Sequence, residues 1–133
     1  MIITCGVCRG QNLVPNPSFE TLLNCPTIPS LGCGGPFNDQ IAYCTANWKN
    51  VGCGSADYYN ACDTSLMGVP NTYFGYQFAR TGDAFIGLII YPPFYNEYFG
   101  TFLSNPLVAG VKYYVRFYAN LEPFAFNGTE TDA

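Results

Sequence analysis

Residues 72–91 read "TYFGYQFARTGDAFIGLIIY", and the rest of the chain is read outward from them. Both ends of the stretch are rich in aromatic and β-branched residues, which suit the pleated, half-buried surface of a sheet. Between them lies "RTGD", where Gly82 supplies the positive φ that a tight turn requires. The pattern predicts a hairpin of two strands, 72–79 and 84–91, the second of them buried. Downstream, "EYFGTFL" (97–103) is the next strand candidate and "NPLVAG" (105–110) a connection. "VKYYVRFYANL" (111–121) then alternates, with Tyr113, Val115, Phe117, Ala119 and Leu121 on one side. Lys112, Tyr114, Arg116, Tyr118 and Asn120 fall on the other, so this is expected to be a strand with one face in a core and one in water.

Upstream the character changes. From Cys25 to Met67 the chain is rich in Gly, Pro and Asn and carries five cysteines, which predicts long loops held by covalent bridges in place of a thick core. "NLVPNPSFE" (12–20) places two prolines within three residues, which forbids a helix and permits an extended, sharply turned entry. No segment carries a helical stripe over eleven or more residues, and no internal repeat is present. The expected fold is all-β, an antiparallel β-sandwich.

Composition narrows the class. Of 133 residues 49% are apolar and 11% charged, with 11 Tyr, 11 Phe and the single Trp48, a makeup of ordered β-rich protein in one domain. Nine acids against five bases leave a net charge of −4, and the bases Arg9, Lys49, Arg80, Lys112 and Arg116 are scattered. No basic stripe follows a phosphate backbone, so nucleic acid is not an expected partner. The longest apolar run, "AFIGLIIYPPF" (84–94), is about half the ~20 residues of a bilayer-crossing helix and contains two prolines.

The seven cysteines stand at 5, 8, 25, 33, 44, 53 and 62, and there is no histidine. "CGVC" (5–8) has no second pair and no imidazole to complete a zinc site. Residues 1–11 read instead as the remnant of a secretory signal peptide, cleaved near Gly10 or Gln11, with 12–133 as the exported domain. The five cysteines left would oxidise outside the cytoplasm, and because five is odd one thiol stays free or pairs between chains.

"NLVPNPSFE" (12–20), "CP" (25–26), Trp48, "SADYYNAC" (55–62), "VPNTYFGYQFARTGDAFIGL" (69–88) and "NEYFGTFLSNPLVAGVKYYVRFYANL" (96–121), in this order, resemble a domain common in exported proteins of Bacteroidota. Its relatives are often joined to gliding-motility-associated C-terminal sorting regions or to peptidoglycan-binding domains of the outer-membrane protein A type. The resemblance implies a jelly roll similar to galactose-binding-like carbohydrate-binding modules, in a secreted or cell-surface protein with further domains. Family members continue past the "FYANL" strand, so the sandwich is expected to be incomplete, with exposed edges. Cys25 and Cys62 match family positions, and the resemblance implies a bridge between them; Cys33, Cys44 and Cys53 are additional. In similar jelly rolls the residue at Glu20 helps to hold a structural Ca²⁺. Asn12–Val14 would form a first strand, turned by Pro15 and Pro17, with Phe19 in the core and Glu20 pointing out.

Without histidine neither a Ser-His-Asp triad nor a Cys-His pair can be assembled. Glycoside hydrolysis needs two carboxylates, for which Asp57, Asp83 and Glu97 are candidates, but no spacing brings two together and each has an ordinary structural role. A non-catalytic module is expected. Tyr and Trp rings stack on sugar faces while Asn, Gln and Arg orient the hydroxyls. Two groups have that makeup, Trp48, Tyr58, Tyr59 and Asn60 in a loop, and Tyr114, Arg116 and Tyr118 on the outer side of the last strand. The expected function is glycan or other polymer binding for adhesion or envelope attachment. The alternative is a structural spacer without a ligand, in which the same rings are packed and Arg80 and Gln77 tie loops.

Overall fold

The computed structural model describes residues 10–30 and 39–121. Cys5, Cys8, Cys33 and most of the expected leader lie outside the described residues. Among the described residues one short helix, α1 (Gln40–Cys44), precedes eight short strands. These are β1 (Lys49–Asn50), β2 (Asp57–Asn60), β3 (Asn71–Thr72), β4 (Gly75–Tyr76), β5 (Ala84–Gly87), β6 (Ile90–Tyr91), β7 (Tyr95–Asn96) and β8 (Phe99–Gly100). They form four antiparallel two-stranded ladders, β1–β8, β2–β5, β3–β4 and β6–β7. The regular elements among the described residues are mostly strand, in small antiparallel sheets joined by irregular chain.

The β2–β5 ladder is the centre. Its register pairs Asp57 with Gly87, Tyr58 with Ile86, Tyr59 with Phe85 and Asn60 with Ala84. All four β2 residues are buried. The Tyr59 and Phe85 rings stack at 5.0 Å, and Gly87 is required beside them because a Cβ there would stand 2.9 Å from the Tyr59 ring. Ile41 and Cys44 of α1 join Ala56, Tyr58 and Ala84 in the core, with Phe19, Trp48, Ile86 and Phe99 packed against it. Full burial of one tyrosine such as Tyr58 contributes on the order of 2 kcal/mol relative to exposure. Asp39 caps α1, its side chain accepting from Ala42 N at 3.0 Å, and also accepts from Asn50 N at 2.9 Å, which ties the helix to β1.

The expected 72–79/84–91 hairpin does not form. Residues 71–76 close their own tight hairpin as β3–β4, and the second segment finds its partner in β2 instead. Gly82 does adopt positive φ, at 68°. The turn around it is held from outside: both Glu20 oxygens accept from Asp83 N, at 3.1 and 3.0 Å, and one also accepts from Ala84 N at 3.1 Å. A Cβ on Gly82 would stand 2.5 Å from that carboxylate, so residue 82 must be glycine on two counts.

The opening motif is a knot rather than a strand. Asn12–Val14 pair with no strand. The Asn16 side chain donates to Thr45 Oγ1 and Ala46 O, each at 2.9 Å, and accepts from Thr21 N at 3.0 Å. Its carbonyl accepts from Trp48 Nε1 at 2.8 Å and from Phe19 N at 3.1 Å. Phe19 enters the core as expected, at positive φ (67°), a strained setting for a non-glycine residue that its packing against Trp48 and Phe99 sustains.

The expected strand 111–121 is absent from this structure, and every residue of it is exposed, Val115 to 90%. Tyr113, Val115, Phe117, Ala119 and Leu121 therefore lie outside the core. Alternation records that one face suits cover; among the described residues no segment lies over it and none forms a ladder with it.

Cys25 and Cys62 are bridged, with Cα atoms 6.0 Å apart, tying the segment around Cys25 to the turn that follows β2. Cys53 is also disulfide-bonded. The free thiol among the described residues is Cys44, buried on α1, where burial pushes it up to about 11. Its burial on the core side of α1 leaves it no route to a second chain. The bridges belong to the chemistry of an oxidising compartment, and among the described residues no helix is long and apolar enough to cross a membrane.

Candidate functional site

The structure separates the two aromatic groups that the sequence put forward. Tyr58, Tyr59 and Asn60 are not a loop cluster but the buried strand β2, with Tyr58 0% and Tyr59 2% exposed. The Tyr58 hydroxyl donates to Phe19 O at 3.0 Å and accepts from Asn60 Nδ2 at 2.9 Å, and Asn60 Oδ1 accepts from Cys62 N at 2.9 Å. Burial pushes the Tyr58 phenol up. Trp48 is half-buried, its ring 5.0 Å from Phe19 and 5.3 Å from Phe99, and its indole N–H is used by Asn16. Tyr58, Tyr59 and Asn60 are buried in the fold and present no ring to solvent, and Trp48 is packed on one side with its indole N–H taken. The run "DYYN" carried a usable signal, two adjacent tyrosines of high β propensity, that the surrounding turn residues obscured.

The second group is at the surface. Tyr114 is 95% and Tyr118 57% exposed. The Arg80 guanidinium carbon lies 3.4 Å from the Tyr118 ring centre and that of Arg116 lies 5.7 Å from it, so two cations share one ring. Beside them Asn120 Nδ2 donates to Gln77 Oε1 at 2.5 Å, while Gln77 Nε2 donates to Phe78 O at 2.6 Å. Arg80 and Gln77 thus join the site from the β4–β5 connection. The sequence offered both only as structural residues, and what unites them with Tyr118 is contact between segments about forty residues apart, invisible to local pattern. The assembled chemistry is an exposed ring flanked by planar cations and amides.

The carboxylates do other work. Glu97 is buried, and one of its oxygens accepts from Ser55 N (3.2 Å), Ser55 Oγ (2.7 Å) and Tyr95 Oη (3.1 Å) while the other accepts from Ile89 N (2.7 Å). It clamps the 54–55 turn to the β6–β7 hairpin. Asp57 accepts from Ser30 N at 2.6 Å. Burial pushes its carboxyl up to about 7; the Ser30 bond opposes this, the charge of Glu97 adds to it, and a bond from Tyr59 opposes it. Asp83 is exposed in the turn. Glu20 does not point out into solvent: its oxygens face the amide N–H groups of Asp83 and Ala84. That donor set suits an anion and not a hard cation, and no group of three acidic, His or Cys side chains placed to hold a metal exists among the described residues. The residues present at Glu20 do not fit the calcium that the resemblance implied.

No family model, curated protein or solved structure matches the chain.

Proposed function

We propose that this chain is a non-catalytic module of an exported or cell-surface protein, that its small sheets belong to a β-sandwich of the jelly-roll kind, and that it binds glycan or another polymer for adhesion or envelope attachment. The observation that carries this reading is the surface cluster of Tyr114, Arg116 and Tyr118 with Arg80, Gln77 and Asn120: flat rings left in water beside amide and guanidinium donors. An aromatic ring offers the apolar face of a sugar a stacking surface, and the amides orient hydroxyls. The ordered resemblance of residues 12–121 to exported Bacteroidota domains supports the address, as do the bridges. A spacer role without a ligand is the second reading, favoured by the burial of Tyr58 and Tyr59, two of the five anticipated rings, together with Asn60.

Glycan-array and polymer pull-down binding separates the two. Polymer retention is expected, and Tyr114→Ala with Tyr118→Ala should weaken it about tenfold or more, an effect typical of truncating an exposed binding aromatic. Tyr118 carries more of this loss because it also seats the arginines. Absence of binding to any polymer favours the spacer and overturns the binding module.

A further inference from the structure

Given a glycan-binding module, the charge at this site names the class of glycan. We infer that the Arg80–Tyr118–Arg116 cluster takes an acidic polysaccharide, one whose sugar rings carry carboxylate or sulfate groups. The chain has five basic residues and a net charge of −4, yet two of the five, 36 positions apart in sequence, stand against one exposed ring. That contact is the only interaction either guanidinium makes among the described residues. An arginine kept for structure ordinarily spends its five N–H donors on carbonyls or carboxylates. Here the ring holds the Arg80 guanidinium at 3.4 Å and that of Arg116 at 5.7 Å, and no hydrogen bond to a described residue uses their donors.

Such a fork is shaped for a planar or tetrahedral oxyanion, which it binds through paired, charge-assisted hydrogen bonds. Pre-positioning by the ring lowers the ordering needed on binding. Asn120 and Gln77 stand alongside for hydroxyls, and Tyr114, two residues before Arg116, offers its ring almost entirely to solvent. A neutral sugar would use the rings and amides but would leave both cations without an anion. A net negative surface disfavours polyanions in general, so an acidic polymer is held at the cluster or not at all.

Affinity electrophoresis in gels containing polygalacturonate, dextran sulfate, uncharged dextran or polyglutamate tests this. Retardation is expected with the acidic polysaccharides, with weaker or no retardation by dextran and polyglutamate. Arg80→Ala and Arg116→Ala should each weaken it about tenfold, Arg80→Lys partly, because charge survives while the fork is lost. Lys49→Ala, an equal change of net charge elsewhere, should leave it unchanged, and circular dichroism of each variant should match the parent. Retardation by dextran alone overturns the acidic assignment while the glycan-binding module survives. Equal retardation by polyglutamate, or acidic binding that the arginine variants leave intact, overturns it as well, and no retardation in any gel removes both.

Discussion

Replacing Cys25 and Cys62 together by alanine will lower the unfolding free energy by about 4 kcal/mol, the chain-entropy value for a loop closed over a separation of 37 residues. The physical reason lies mostly in the unfolded chain, which the bridge keeps from spreading. The native state contributes as well. The bridge joins the segment carrying Leu22 and Leu23, whose backbone meets Thr45 and Cys44, to the turn just after β2. Between those points lie α1, β1 and the buried strand itself, so the loop contains most of the core. Short ladders of two to four residues bury little, and a core this small depends on covalent closure. Urea unfolding of the double variant should show the loss, and the melting temperature should fall by roughly 10–20 °C. A loss below about 1 kcal/mol would mean that the bridge is incidental to the fold.

The second large effect is one of pH. Asp57 holds its proton up to about pH 7 when folded, chiefly through burial, whereas in the unfolded chain it releases it near 3.8. Between those values the native state binds more protons than the unfolded state, so stability falls as pH rises, and the loss is complete above about 7. Three pH units correspond to roughly 4 kcal/mol. Asp57→Asn keeps an oxygen for Ser30 N and removes the charge that must otherwise form beside Glu97. The variant should match the parent below pH 4, exceed it by about 2 to 4 kcal/mol at pH 8, and lose the slope between. Denaturant unfolding at pH 4, 6 and 8 measures all three. A variant that is destabilised at every pH, or that keeps the parent's slope, would show that the Asp57 charge is satisfied when folded.

How much of this was legible beforehand depends on whether the interaction was local. The strand at Ala84–Gly87 and the positive φ at Gly82 followed from residue type alone, because both are set within a few residues. The partner of that strand did not: a hairpin across "RTGD" is the nearest pairing, but Glu20 takes the amides of Asp83 and Ala84 and β2 supplies the ladder from more than twenty residues upstream. Pairing of that kind is chosen by burial, which period-two alternation cannot assign to a partner. Phe19 was foreseen in the core, yet Asn16, which ties residues 16–21 to 45–48, was not, since nothing in "PNP" distinguishes a hub from a plain turn. The Cys25–Cys62 bridge came from resemblance, and geometry agrees. In 111–121 the alternating pattern anticipated a covered face that the structure does not supply. Of the proposed ligand residues, Tyr114, Arg116 and Tyr118 are exposed, Trp48 is half-buried, and Tyr58, Tyr59 and Asn60 are buried.

The division between structural and ligand-facing aromatics can be measured in one experiment, by tyrosine nitration of the native protein with residue-level mass spectrometry, with and without polygalacturonate. Tyr114 and Tyr118 should be modified rapidly when the protein is alone and be protected by the polymer, while Tyr58 and Tyr59 stay unmodified throughout. Modification of Tyr58 or Tyr59 as fast as Tyr114, or Tyr114 and Tyr118 reacting equally with and without the polymer, would contradict it.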